Sequence, residues 1–283
     1  RQVEKGFRGF NVTVPFKEDA FAKVNMANDC ASAAQAVNTI KVTGDSDLYG
    51  FNTDGVGFQA AYLKVIEKGT NKKALVIGVG PLNGLGAQLC KKIANNIFCV
   101  NGTPADTVYL GLSGFLDIVP DMVISGINHG ANLGEDVLYS GTVAAAIEGR
   151  SLGVPSIAIS SINKNCNNYK VAAQVTLELV EKLKSHPFPS DTILNVNVPD
   201  KPMKDLNGRV ATRLGTRKKS YPIALSNNEI DTYNYLIGPP GEGDDAGPGT
   251  DFHAIKNDSV SISPIQIDMT NHSIVNDLRD WLT

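Results

Sequence analysis

Cysteine is scarce and scattered: the four in 283 residues, Cys30, Cys90, Cys99 and Cys166, share no paired spacing. That pattern argues against a disulfide framework and against a Cys-x-x-Cys zinc site, and it fits a reducing compartment. Long apolar runs are missing too. None reaches the roughly 18 residues that a membrane-crossing helix needs, and Arg1-Gln2-Val3-Glu4-Lys5 carries no signal-peptide pattern. A cytoplasmic protein without membrane contact is therefore expected. Nor is there a basic excess, since 26 Lys and Arg against 29 Asp and Glu leave a formal net charge of -3. A nucleic acid polymer held through its phosphates calls for a basic stripe, so that partner is set aside and a single nucleotide stays compatible. What is present is an ordinary core-forming composition, 42% hydrophobic and 19% charged, enough for one large or two smaller domains.

The first part reads as a small α/β fragment. Gly9 to Pro15 alternates as a strand does, the Ala-rich Asp19 to Ala36 reads as one or two helices, and Val37 to Val42 and Leu48 to Phe51 read as strands joined by Gly44-Asp45-Ser46-Asp47. A helix over Val56 to Glu67 and a buried strand over Ala74 to Ile77 follow.

From Gly80 the rhythm becomes strand, helix, strand. Gly84 to Asn95 reads as a helix striped by Leu85, Leu89 and Ile93, then Ile97 to Val100 as a strand and Ala105 to Leu112 as a helix. Pro155 to Ser160 is a strand, Tyr169 to Lys184 a helix with Val171, Val175, Leu179 and Leu183 spaced by four, and Thr192 to Val198 an alternating strand. The class is α/β, a Rossmann-like doubly wound sheet. Beyond Pro199, strand candidates at Arg209 to Arg213, Tyr233 to Ile237 and Ser259 to Ile265 form a carboxyl-terminal β-rich arm, closed by a helix over Asn276 to Leu282.

The strongest local signal runs from Asp121 to Arg150. Met122 to Ile124 suits a buried parallel strand, Ser125 to Gly134 a glycine-punctuated loop at its carboxyl end, and Ser140 the cap of a helix over Thr142 to Arg150. Ligands gather beyond strand ends in open α/β sheets, and the free N–H groups of a helix start attract phosphate. Asp106 and Asp121 read as helix caps or strand ends. His129 reads as a solvent-facing loop residue, and Glu242, Asp244 and Asp245 as a solvated loop.

Two families are visible in the motifs. Asn11-Val12-Thr13-Val14-Pro15-Phe16-Lys17, Ala36-Val37-Asn38-Thr39-Ile40 and Gly50-Phe51-Asn52-Thr53-Asp54-Gly55-Val56-Gly57 resemble the substrate domain of shikimate dehydrogenase. The resemblance implies Lys17 and Asp54 as a catalytic pair, Thr13 and Asn38 as substrate contacts, and NADP as hydride acceptor. The family's amino-terminal Ser-x-Ser has no counterpart, and Gly78-Val79-Gly80-Pro81-Leu82-Asn83-Gly84 departs from its Gly-x-Gly-Gly-Ala loop.

The second part resembles the SurE family of metal-dependent nucleotidases. The motifs are Asn101-Gly102-Thr103-Pro104-Ala105-Asp106, Ser125-Gly126-Ile127-Asn128-His129-Gly130-Ala131-Asn132-Leu133-Gly134, Tyr139-Ser140-Gly141-Thr142-Val143-Ala144-Ala145-Ala146, Leu194-Asn195-Val196-Asn197-Val198-Pro199 and Gly249-Thr250-Asp251. The resemblance implies Asn128 as a metal ligand, Ser140, Gly141, Thr142 and Asn132 around the phosphate, magnesium or manganese as cofactor, and a homodimer built on the carboxyl-terminal arm. The family's Asn-Asp-Asp-Gly, with its two principal metal ligands, is replaced by Gly78-Val79-Gly80, and the segment between Asn96 and Ile97 lacks a strand and a Ser-bearing loop. Of four expected ligands one survives, and Asp54 or Asp136 stands as a candidate substitute.

The expectation is thus a shikimate dehydrogenase-like fragment over 1–77 and an incomplete SurE-like domain over 78–283. The function implied is metal-dependent hydrolysis of nucleoside monophosphates, impaired by the missing aspartates. The alternatives are an NADP-dependent shikimate dehydrogenase and an inactive fusion or scaffold.

Overall fold

The structure is a computed structural model. It describes residues 9–12, 17–28, 31–32, 37, 39–43, 47–51, 90–94, 97–100, 102–116, 120–162, 168–189, 191–219, 224–229, 232–236 and 241–283.

The amino-terminal part holds β1 (Gly9–Asn11), α1 (Lys17–Phe21), β2 (Met26–Ala27), β3 (Thr39–Val42) and β4 (Leu48–Phe51). They form a four-stranded sheet in the order β1-β3-β4-β2. Of the one or two helices expected across Asp19 to Ala36, the first ends at Phe21 and a short strand follows. Asn25 exchanges hydrogen bonds with Leu48 through its backbone N–H and its Oδ1, both at 2.8 Å, and Met26–Ala27 then pairs with β4. Sheet pairing overrides the helix preference of the alanines there.

The segment expected as helix over Gly84 to Asn95 is, where described, a strand. β5 (Cys90–Ala94) pairs antiparallel with β6 (Ile97–Val100), and Asn95-Asn96, expected to stop the helix, lies outside the described residues. The expected helix over Val56 to Glu67 and strand over Ala74 to Ile77 lie outside the described residues.

The larger unit runs α2 (Pro104–Leu110), β7 (Val123–His129), α3 (Gly141–Ser151), β8 (Ser156–Ser161), α4 (Tyr169–Ser185), β9 (Thr192–Val198) and β10 (Arg209–Ala211). The hairpin strands β11 (Ala224–Glu229) and β12 (Thr232–Leu236), then α5 (Asp251–Lys256), β13 (Val260–Gln266) and α6 (Val275–Leu282), complete it. Its five-stranded sheet has the order β10-β13-β9-β8-β7. β7, β8 and β9 are parallel and β13 is antiparallel to β9.

Period-two alternation decides which face each side chain joins. Ile157 and Ile159, with Leu194, Val196 and Val198, pack under Val171, Val175 and Leu179 of α4. Ala158 and Ile193 point the other way, onto Val143 and Ala146 of α3. Helices therefore cover both faces, as expected of a doubly wound sheet. Each fully buried isoleucine contributes about 1.5–3 kcal/mol, so this three-strand wall is a firm base for the loops at its carboxyl end. Among the described residues, no helix is long and apolar enough to cross a membrane.

Candidate phosphate site at the carboxyl end of the sheet

β7 does not stop at Ile124 but runs on to His129, with a register irregularity against β8 between Ser125 and Asn128. Gly126 makes that irregularity possible. Its φ is +130°, and a Cβ there would stand 2.3 Å from the Ile159 carbonyl oxygen. The shifted register sets Asn128 beside Ser160, which in turn faces Asn197. Asn128 is half-buried, and its Nδ2 donates to the Gly130 carbonyl at 3.0 Å. That bond orients the amide and leaves Oδ1 as the atom able to meet a cation. His129 is exposed, with its ring 4.9 Å from that of Tyr169.

Asn132 is buried rather than open to a ligand. Its Nδ2 donates to Ser160 Oγ at 2.7 Å, and its backbone N–H donates to Asn197 Oδ1 at 2.8 Å. Its carbonyl accepts from Asn195 Nδ2 at 2.9 Å and from Asn197 Nδ2 at 3.0 Å. Gly134, with φ +52°, then begins a 3-10 turn over Gly134–Tyr139. Its N–H donates to Asp251 Oδ2 at 2.7 Å.

The turn delivers Ser140 as the N-cap of α3, with φ -83° and ψ 118°. Ser140 Oγ accepts from the Val143 N–H at 3.2 Å, and its carbonyl accepts from Ala144 N–H at 2.9 Å. The Gly141 and Thr142 N–H groups, lacking intrahelical partners by their position in the first turn, face outward with the positive end of the helix dipole. Because Ser140 Oγ is the acceptor toward Val143, its own hydroxyl hydrogen remains available to donate.

The neighbouring carboxylates are committed elsewhere. Asp106 closes a capping box with Thr103, accepting from the Thr103 N–H at 2.8 Å while its own N–H donates to Thr103 Oγ1 at 3.1 Å. Asp136 receives Arg217 Nε at 2.9 Å and Nη2 at 2.5 Å. The fully buried Asp251 accepts from three backbone N–H groups, of Gly134, Gly215 and Phe252. Asp136, the substitute ligand that the sequence left open, is engaged by Arg217 in an ion pair. Among the described residues, no group of three or more His, Cys, Asp or Glu side chains is placed to hold a metal ion. A single neutral amide oxygen does not fit magnesium or manganese, which need several hard oxygen ligands.

Thr13, Asn38 and Asp54 lie outside the described residues, and Lys17 is described only as the first residue of α1. Sequence reasoning passed over Asn195, Asn197 and Ser160 as functional residues. The available signal for the two asparagines was their place at alternate positions of a strand whose other face is Leu194, Val196 and Val198.

Comparison with known proteins finds both families in the chain. A family model described as survival protein SurE matches residues 52–221. One described as the shikimate dehydrogenase substrate binding domain matches residues 1–40. The chain is 51% identical over 188 residues to the 5'-nucleotidase SurE of Methylococcus capsulatus, covering 66% of this chain and 75% of that protein. It is 52% identical over 186 residues to the 5'-nucleotidase SurE of Halorhodospira halophila, covering 65% and 74%. Among solved structures, the SurE protein from Aquifex aeolicus superposes with a TM-score of 0.69 at 34% identity, covering 80% of this chain and 94% of that one. Both resemblances read from the motifs are therefore shown, as is the Rossmann-like α/β class.

Proposed function

The chain belongs to the survival protein SurE family, and we propose that it is a nucleotidase-type phosphate monoesterase whose phosphate end is intact and whose metal end is weakened. The observation that carries this reading is the Ser140-capped start of α3, which follows β7 and its Asn128 in the chain through the 3-10 turn Gly134–Tyr139. The substrate class is a nucleoside monophosphate, as the names of the relatives suggest. Its phosphoryl oxygens are received by the Gly141 and Thr142 N–H groups and by the Ser140 and Thr142 hydroxyls. Asn128 Oδ1 is the donor offered toward a cation. Magnesium or manganese would supply the charge that a carboxylate-poor site lacks, but the described residues do not assemble a binding set for it, so turnover is slow relative to the family. A homodimer formed through the carboxyl-terminal arm belongs to the same reading.

The dehydrogenase alternative gains little, because the match to the shikimate dehydrogenase substrate binding domain is confined to residues 1–40 of this chain. We divide the chain into a shikimate dehydrogenase-like fragment, 1–77, and a nucleotidase domain, 78–283. The two family matches span residues 1–40 and 52–221.

Phosphate release from AMP with added manganese, alongside shikimate-dependent NADP reduction, separates the readings. Slow release that responds to Asn128→Asp and is lost in Ser140→Ala is expected. Release indifferent to both substitutions removes the site from this place, and shikimate-dependent NADPH formation reinstates the dehydrogenase.

A further inference from the structure

Two motifs of the sequence, Leu194-Asn195-Val196-Asn197-Val198-Pro199 and Gly249-Thr250-Asp251, are not used by the phosphate site as described. In β9 the apolar face goes to Leu194, Val196 and Val198, which join the core under α4. Alternation turns Asn195 and Asn197 to the opposite face, and both are fully buried. There they close on a single residue of the loop above, Asn132. Asn197 grips it twice, accepting from its N–H and donating to its carbonyl, as a paired strand would. Asn195 adds a second donor to the same carbonyl.

The loop is held again two residues on. Asp251, at the first turn of α5, accepts from the Gly134 N–H through Oδ2 and from the Gly215 and Phe252 N–H groups through Oδ1. A Cβ on Gly134 would meet the Gly215 carbonyl oxygen at 2.8 Å, so loop and arm touch through backbone at this point. The stretch that separates Asn128 from Ser140 is therefore fixed at Asn132 by β9 and at Gly134 by α5.

One detail shows that packing alone does not account for this arrangement. Asn195 Oδ1 is buried with no hydrogen-bond partner among the described residues, an unfavourable state that an apolar side chain of similar size would avoid. Local rules are broken in this way where a side chain serves a site.

We propose that Asn195, Asn197 and Asp251 are positioning residues: they touch no ligand but set the placement of Asn128 relative to the Ser140 phosphate cradle. The proposal rests on the nucleotidase reading for its ligand. It does not rest on that reading for its geometry.

The test uses the full chain with Asp251→Asn, Asn197→Asp and Asn195→Leu, read by amide hydrogen exchange and by AMP titration calorimetry. Asp251→Asn sets an amide NH2 against a backbone donor, and Asn197→Asp sets an oxygen against the Asn132 carbonyl. Exchange at Gly134 in the first, and at Asn132 in the second, should accelerate by at least about tenfold, while Ile124, Ile159 and Val196 stay protected. AMP affinity should fall by about tenfold in each, the effect of losing one ordinary hydrogen bond's worth of placement. Asn195→Leu should leave the melting temperature equal or higher yet weaken AMP binding, a split that a purely structural asparagine would not produce. Uniform acceleration at all amides, or AMP affinity within about twofold of the parent in all three variants, overturns the proposal. A parent chain that binds no AMP overturns the nucleotidase reading instead, and the exchange pattern alone then decides the clamp.

Discussion

Ser140 is assigned two jobs, helix cap and phosphate ligand, and a substitution to aspartate separates them. As a cap, Ser140 accepts from the Val143 N–H at 3.2 Å. Aspartate is as good an N-cap as serine, whereas alanine costs about 1 kcal/mol. For a domain of this size that is a fall of about 2–4 °C in melting temperature for Ser140→Ala, and essentially none for Ser140→Asp. As a ligand the two reverse. A carboxylate about 4 Å from a phosphoryl charge, at an effective dielectric of about 20, opposes binding by about 4 kcal/mol. That corresponds to about a thousandfold loss of AMP affinity. Thermal melting and AMP calorimetry on the parent and both variants supply the comparison. An Asp variant that keeps its melting temperature and binds AMP as tightly as the parent refutes the placement of phosphate at this helix start.

Other consequences are more local. Gly134→Ala places a Cβ at φ +52° and 2.8 Å from the Gly215 carbonyl oxygen, so chemical denaturation should show a loss of about 1–3 kcal/mol; an unchanged midpoint contradicts the close approach. Arg217→Ala removes a two-pronged contact to Asp136 and a contact to the Gly241 carbonyl at 2.8 Å. It should cost about 1–3 kcal/mol because the pair is mostly shielded from solvent; no change in urea midpoint would show that the arm does not brace the 3-10 turn. The hydrogen bond from the Arg213 guanidinium holds the Asp245 carboxyl below the usual aspartate range. A depressed carboxylate contributes stability above its unfolded pKa and loses it as pH falls through the folded value. An NMR titration should therefore find Asp245 titrating low in the parent and returning toward the ordinary value in Arg213→Ala. Both residues are well exposed, so the melting temperature at neutral pH should hardly move.

Strands and helices whose signals are local and periodic were legible. Thr192 to Val198 in the larger unit and Leu48 to Phe51 in the amino-terminal sheet occupy the bounds that alternation and turn residues assign them, and Tyr169–Ser185 follows its four-residue stripe. Ser140 as a cap was readable from a hydroxyl ahead of an Ala-rich run. Residues 90–94 were not readable in the same way. Leu85, Leu89 and Ile93 make a good helical stripe, but the pairing of Cys90 with Val100 and of Lys91 with Cys99 is a contact that periodicity does not encode. The end of β7 was misplaced for a related reason. Gly126 looked like the start of a loop, while its left-handed backbone lets the strand bulge and continue. The role of Asn132 depended on Asn195 and Asn197, more than sixty residues away. Spacing showed that all three were present; the fold was needed to show that they meet. The commitment of Asp136 to Arg217 likewise spans 81 residues, which no local pattern reveals.

The central claim is that a sound phosphate cradle sits beside a metal end short of carboxylates. Its most direct test is to restore them where the resemblance says they are missing, with Ile77→Asn, Gly78→Asp and Val79→Asp ahead of Gly80, and to measure manganese-dependent phosphate release from AMP. Since metal-borne charge stabilisation is worth several kcal/mol, the triple variant should exceed the parent by at least about a hundredfold and lose the gain on chelation. A parent chain that already turns over AMP at the rate of the restored variant, with no response to the three substitutions, would contradict the account.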